Sequence, residues 1–273
     1  MTSYLDVEDG RVAYDDSGSG PLVLCLPGLG DVRGEYRLLT PLLVGAGYRV
    51  VTMDIRGHGE TSARWPDYSI EGVARDATAL LRSLDAGPAT LIGTSKSAGT
   101  AVLVAAGAPE LVKRLVLIGA FVRDIGSPLV GRLLADGLFA GPWGVSLWIR
   151  YLSTLFPSRK PADLGAYLAA LRVNLSERGR FAATRRMLTS SSAAAEAQLG
   201  RLGMPVLVLM GTKDRDFKDP TAEARLIAAR IGSSAEVRLI EGAGHYPQAE
   251  MPTETAAAIR EFISGDARMA YGA

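Results

Sequence analysis

The chain has 273 residues, 48% of them hydrophobic, with 30 Lys+Arg against 29 Asp+Glu and a formal net charge of +1. That length and apolar content can build one large α/β domain, with or without an insertion. The balanced charge argues against nucleic acid or an acidic macromolecule as partner, and a single cysteine, Cys25, excludes an intrachain disulfide framework.

In chain order, residues 1–16 are polar and acidic. They lack the basic-then-apolar order of a signal peptide. No later apolar run reaches the ~18 residues that would span a bilayer, so a cytoplasmic protein without membrane attachment is expected. Arg11 to Tyr14 and Leu22 to Leu26 read as early strands. Compact apolar runs follow at Arg49 to Met53, Ala89 to Ile92, Leu115 to Ile118, Val206 to Met210 and Val237 to Ile240. Runs apolar on both faces suit a parallel sheet covered on both sides. Helical spacing occupies the intervals at about Arg33 to Ala46, Ile70 to Leu84, Ser97 to Ala106, Ala222 to Ala229 and Thr253 to Ile263. Strand and helix alternate, which predicts an α/β fold with a mostly parallel central sheet flanked by helices.

One stretch breaks the alternation. Residues 125–203 show helical patterns and no convincing strand, which predicts a helical insertion between two strands. The expected division is a core of residues 1–124 and 204–265, an insertion of 125–203, and a flexible tail at 266–273.

The strand-to-helix junction "LIGTSKSAG" at Leu91 to Gly99 holds two serines. A serine hydroxyl needs a base, a group to orient that base and donors for the oxyanion. A G-x-S-x-G elbow places the nucleophile on a tight turn at the end of a strand. The strand ends at Gly93, so the turn falls on Ser95; Ser97 in that role would sit inside the helix. The chain has two histidines, His58 and His245. His245 follows the last strand and closes the order Ser…Asp…His. The acid is expected on the preceding strand-to-helix loop, "GTKDRDFKDP", where Asp214 stands one helix and one strand ahead of His245. Asp216 is the fallback and Asp124 a third candidate, while Asp216 and Asp219 also suit turn and helix-start chemistry. The oxyanion donors would be the backbone N–H groups of Lys96, after the nucleophile, and of Leu29 in the glycine-flanked loop Leu24 to Asp31. With two distant histidines and one cysteine, no metal site is expected.

Five stretches in order, "LPGLG", "DIRGHG", "GTSKSAG", "GTKD" and "GAGHYP", make the chain from about Arg11 to Ile263 resemble the α/β-hydrolase fold family. The resemblance implies a Ser-His-Asp triad, no cofactor and a helical cap over the site, formed here by residues 125–203. It also implies that "DIRGHG" is a structural turn, with His58 outside the triad. The expected activity is hydrolysis of an ester, lactone or thioester of a moderately apolar small molecule, with Ser95 as nucleophile. The alternatives are perhydrolase or haloperoxidase chemistry, acyl transfer or cyclisation on the same scaffold, or a ligand sensor with residual turnover. Aspartate-nucleophile hydrolysis does not fit a serine at the elbow. For the Lys96 ammonium, two readings stand. It reaches water or pairs with Asp31 or Glu35, or it faces the pocket and depresses the His245 imidazolium by like-charge repulsion.

Overall fold

The computed structural model describes residues 1–126, 129 and 132–265. The tail expected at 266–273 lies outside the described residues. Among those described, eight strands form one sheet: β1 (Thr2–Val7), β2 (Gly10–Ser17), β3 (Leu22–Leu26), β4 (Arg49–Met53), β5 (Ala89–Thr94), β6 (Val112–Ile118), β7 (Val206–Gly211) and β8 (Ala235–Ile240). Their order is β1-β2-β4-β3-β5-β6-β7-β8. β1 and β2 run antiparallel and the rest are parallel.

Burial explains why the inner strands are compact apolar runs. Every residue of β3, β5 and β7 is buried, as expected for strands covered on both faces. Side chains alternate between two layers. Leu24 and Leu26 join the core that includes Ile70, Val73 and Ala77 of helix α2 (Ile70–Leu84) and Ala98 and Ala101 of α3 (Lys96–Gly107). Val23 and Cys25 join the opposite core, with Leu43 of α1 (Thr40–Gly45) and Ile259 of the C-terminal helix (Pro252–Ser264). Burial pushes the Cys25 thiol well up, so it stays protonated. β1 escapes the sequence reading. Its side chains are half-buried or exposed, and its sequence TSYLDV carries no apolar run.

Between β6 and β7 lie α4 (Gly144–Ser153), α5 (Leu164–Ser176), α6 (Arg180–Leu188) and the short α7 (Ala193–Glu196). Among the described residues this stretch has no strand. α8 (Pro220–Ile231) then crosses from β7 to β8. Its N-cap is Asp219, whose carboxylate accepts from Ala222 N–H at 2.9 Å, and Pro220 suits the first turn.

Candidate active site

The candidate residues gather at the carboxyl ends of β3, β5 and β7 and in the loop after β8, where open α/β sheets bind ligands. Ser95 adopts φ 56°, ψ −125°. Among the described residues only Asp85 shares a positive φ without being glycine. The turn is tight enough that a Cβ on Gly93 would sit 2.4 Å from the Ser97 carbonyl oxygen. Ser95 N–H donates to Ile118 O at 2.8 Å, and its carbonyl accepts from Phe121 N–H at 3.1 Å. The strained position of the elbow therefore falls on Ser95. Ser97 lies inside α3, and its hydroxyl donates to Pro27 O at 2.5 Å. The Ser95 hydroxyl has no hydrogen-bond partner among the described residues.

His245 is buried and donates from Nδ1 to Asp214 Oδ2 at 2.7 Å. Burial alone would push the imidazolium pKa down, but the Asp214 carboxylate, with Asp216 behind it, outweighs burial and holds it up at about 9. The Asp214 pairing leaves Nε2 as the ring's other edge, without a hydrogen bond to any described residue.

Asp216 differs from the turn role preferred for it. Asp219 does serve as a helix cap, but Asp216 Oδ2 lies 3.6 Å from His245 Nδ1. Both Asp216 oxygens lie 2.7 Å from the Tyr151 hydroxyl of α4. Asp124 is elsewhere: it accepts from the Ser191 hydroxyl and, at 2.6 Å, from Ser192 N–H, in the turn between α6 and α7. One ligand-type atom each from Asp214, Asp216 and His245 falls within 4.8 Å of the others, a convergence the sequence argument did not anticipate. The 2.7 Å contact is an N–H donated to a carboxylate, so His245 and Asp214 form a hydrogen-bonded pair with the Asp216 carboxylate beside them.

The loop after β3 closes on the serine. A Cβ on Gly28 would lie 3.3 Å from Ser95 Cβ and 3.3 Å from the Tyr246 hydroxyl oxygen, which only glycine accommodates comfortably. The N–H groups of Leu29 and Lys96 have no acceptor among the described residues. Beneath the loop, buried Glu35 accepts from Gly28 N–H at 2.7 Å and from Gln248 Nε2 at 2.6 Å. Burial, then the neighbouring Asp31, pushes the Glu35 carboxyl up. Gln248 Oε1 is buried without a hydrogen-bond partner.

A family model described as alpha/beta hydrolase fold matches residues 21–252. The chain belongs to the alpha/beta hydrolase fold family. Over 278 residues it is 29% identical to a 2-(acetamidomethylene)succinate hydrolase from Mesorhizobium japonicum, covering 94% of each chain. It is 27% identical to a pyrrolizixenacetamide deacetylase from Xenorhabdus hominickii, over 94% of this chain and 96% of the other. Among solved structures, an esterase from Exiguobacterium antarcticum superposes with TM-score 0.84 at 19% identity, covering 97% and 100% of the two chains.

In this alpha/beta hydrolase the Lys96 ammonium departs from both expected places. It pairs with neither Asp31 nor Glu35. It donates to the Ser190 carbonyl and, at 3.1 Å, to the Ser192 hydroxyl, in the turn between α6 and α7. Burial lowers its pKa, with Asp124 and Glu71 opposing. The His245 imidazolium is raised and not depressed. His58 is buried away from this group, with Nδ1 on Arg56 O at 2.8 Å and Nε2 on Thr184 Oγ1 at 3.0 Å. No described helix is long and apolar enough to cross a membrane.

The sequence reading missed what α4 does. Trp148 Nε1 donates to Gly30 O at 3.2 Å, Tyr151 donates to Asp216, and Leu155 O accepts from His245 N–H at 3.2 Å. The spacing 148, 151, 155 is one helical face carried a turn past the helix end. The signal was present in "WIRYLSTL", but nothing local names its partners.

Proposed function

We propose that this protein is a serine hydrolase in which Ser95 attacks a carbonyl carbon, His245 takes the serine proton, and Asp214 fixes the imidazole with Nε2 toward the reaction. The N–H groups of Leu29 and Lys96 hold the oxyanion of the tetrahedral intermediate. The alcohol or thiol leaves with a proton from His245. Water, activated by the same imidazole, then releases the acyl group. Residues 125–203 act as a cap over the site. The observation that carries this reading is the backbone of Ser95: a serine forced to φ 56° on a strand-to-helix turn, its hydroxyl unengaged, in a fold whose loop after β8 carries an imidazole oriented by a buried carboxylate.

The substrate class is an ester, lactone or thioester of a moderately apolar small molecule. Phe121 and Phe217 flank the imidazole, with ring centroids 5.9 and 6.5 Å away, and Trp148 and Tyr246 are buried on the approach. Two relatives are named for a hydrolase of an acetamido compound and for a deacetylase, so small acyl groups are natural first probes. A cytoplasmic location suits the protonated, buried Cys25.

The test is labelling with a fluorophosphonate followed by peptide mapping. Label is expected on Ser95. Ser95→Ala should lose label and about 10⁴-fold or more of p-nitrophenyl butyrate hydrolysis, whereas Ser97→Ala should keep the label. Full turnover in Ser95→Ala would overturn the reading.

A further inference from the structure

We propose that Asp216 is a second carboxylate for His245, kept off the ring nitrogen by the Tyr151 hydroxyl, and that it acts as a positioning residue setting the charge of the imidazole. The inference rests on His245 as the base of the proposed hydrolase.

Two carboxylates face one imidazole N–H. Asp214 Oδ2, at 2.7 Å, takes the hydrogen bond; Asp216 Oδ2, at 3.6 Å, is too distant for one. It is still well inside the range over which a charge acts, and little water intervenes. The side chains of His245, Asp214 and Asp216 are 2%, 0% and 13% exposed. Asp216 N–H also donates to Asp214 Oδ1 at 3.0 Å, so the two acids form one unit. The Asp216 carboxylate bonds to no backbone N–H of its own loop among the described residues. Its partner is Tyr151, and a carboxylate serving turn geometry would have the opposite pattern.

The groups around the ring come from several elements. Asp214 and Asp216 approach from the loop after β7, and Glu35 from the turn after β3. The Tyr151 hydroxyl of α4 acts through Asp216, and the Tyr246 ring packs edge-on at 5.1 Å. When Ser95 gives up its proton, the resulting imidazolium is balanced by two carboxylates, which stabilises the charged form. The same arrangement keeps the resting ring protonated to higher pH, so nucleophile activation moves alkaline. Tyr151 allocates the roles: with its hydroxyl bridging both Asp216 oxygens, Nδ1 is left to Asp214.

The chain has two histidines, and burial pushes His58 down to about 4, so ring NMR titration resolves His245 directly. In Asp216→Asn the His245 midpoint should fall by about 1–2 units. The pH profile for fluorophosphonate labelling of Ser95 should shift acid by a similar amount. Tyr151→Phe should move the midpoint in the parent protein and leave it unmoved in the Asp216→Asn background, a coupling that general loosening would not produce. An unchanged midpoint in folded Asp216→Asn overturns the inference; if that variant does not fold, an unchanged midpoint in Tyr151→Phe does so. Failure of wild-type protein to label at Ser95 would overturn the hydrolase reading instead, and the titration would still decide this one.

Discussion

Glu35 sits behind the serine with amide groups as its partners, Gly28 N–H and Gln248 Nε2. Burial favours its neutral form. A carboxyl whose folded pKa is raised contributes stability below its unfolded pKa and loses it as pH climbs beyond the ordinary carboxylate range. Through Glu35, wild-type stability should therefore decline from mildly acidic to alkaline pH, and Glu35→Gln should lessen that decline, leaving the part due to the raised His245 imidazolium, which is lost between about pH 6.5 and 9. A change between pH 5 and pH 8 that differs between wild type and the variant by on the order of 2 kcal/mol, with the larger fall in wild type, is the expected outcome of urea titrations. The substitution is tolerable because a turned-over Gln248 amide can offer its unpartnered Oε1 to the new NH₂ group. Some residues of the site were legible in the sequence because local chemistry marks them. Ser95 stands where the strand stops. Asp214 and His245 are separated by one βαβ step, and the 2.7 Å contact joins them. Glu35 and the target of Lys96 were not legible, since their partners Gln248 and Ser190 lie 213 and 94 positions away.

Elements explain which expectations matched the fold. β3 and β4 run over the limits read from their apolar content, and α2 spans Ile70–Leu84 as its spacing predicts. The stretch Arg33 to Ala46 resolves into a 3-10 turn, Arg33–Tyr36, and the short α1. Gly34 breaks the expected helix cheaply, and Pro41 fits only the first turn of a new one. The grip of the helical stretch between β6 and β7 on the rest of the fold was invisible, because it consists of side chains and loops meeting across the fold. Glu250 shows how strong that grip is. Its buried carboxylate accepts from Ser158 N–H at 2.7 Å and Arg159 N–H at 2.8 Å between α4 and α5, and from Gly244 N–H at 2.6 Å beside His245. Glu250→Gln keeps the shape but must turn an NH₂ group toward one of these donors. A loss of about 2–3 kcal/mol in unfolding free energy is expected, measured by urea denaturation at pH 7. A loss below about 0.5 kcal/mol would mean the contact is dispensable.

The whole molecule carries an acid sensitivity in His58, which joins the loop after β4 to Thr184 of α6. Its ring is buried and pushed down to about 4, burial being the main cause. A histidine kept neutral in the fold contributes stability above its unfolded pKa near 6.5 and loses it as pH falls toward the folded value. Between about pH 6.5 and pH 4, stability should fall by about 2–3 kcal/mol through this group. His58→Gln should show a flatter acid limb in thermal unfolding, and an equally steep limb would assign the effect to other groups. Together with Glu35, this predicts greatest stability in mildly acidic to neutral solution.

The single face of α4 has a mechanical consequence. Trp148 holds the loop that contains Leu29, Tyr151 holds the acid loop, and the Leu155 carbonyl holds the backbone of His245. Ser95 is only 9% exposed beneath them. One short segment is thus a common fastening for three loops from separate strand ends, and a strain on it is felt at each of them.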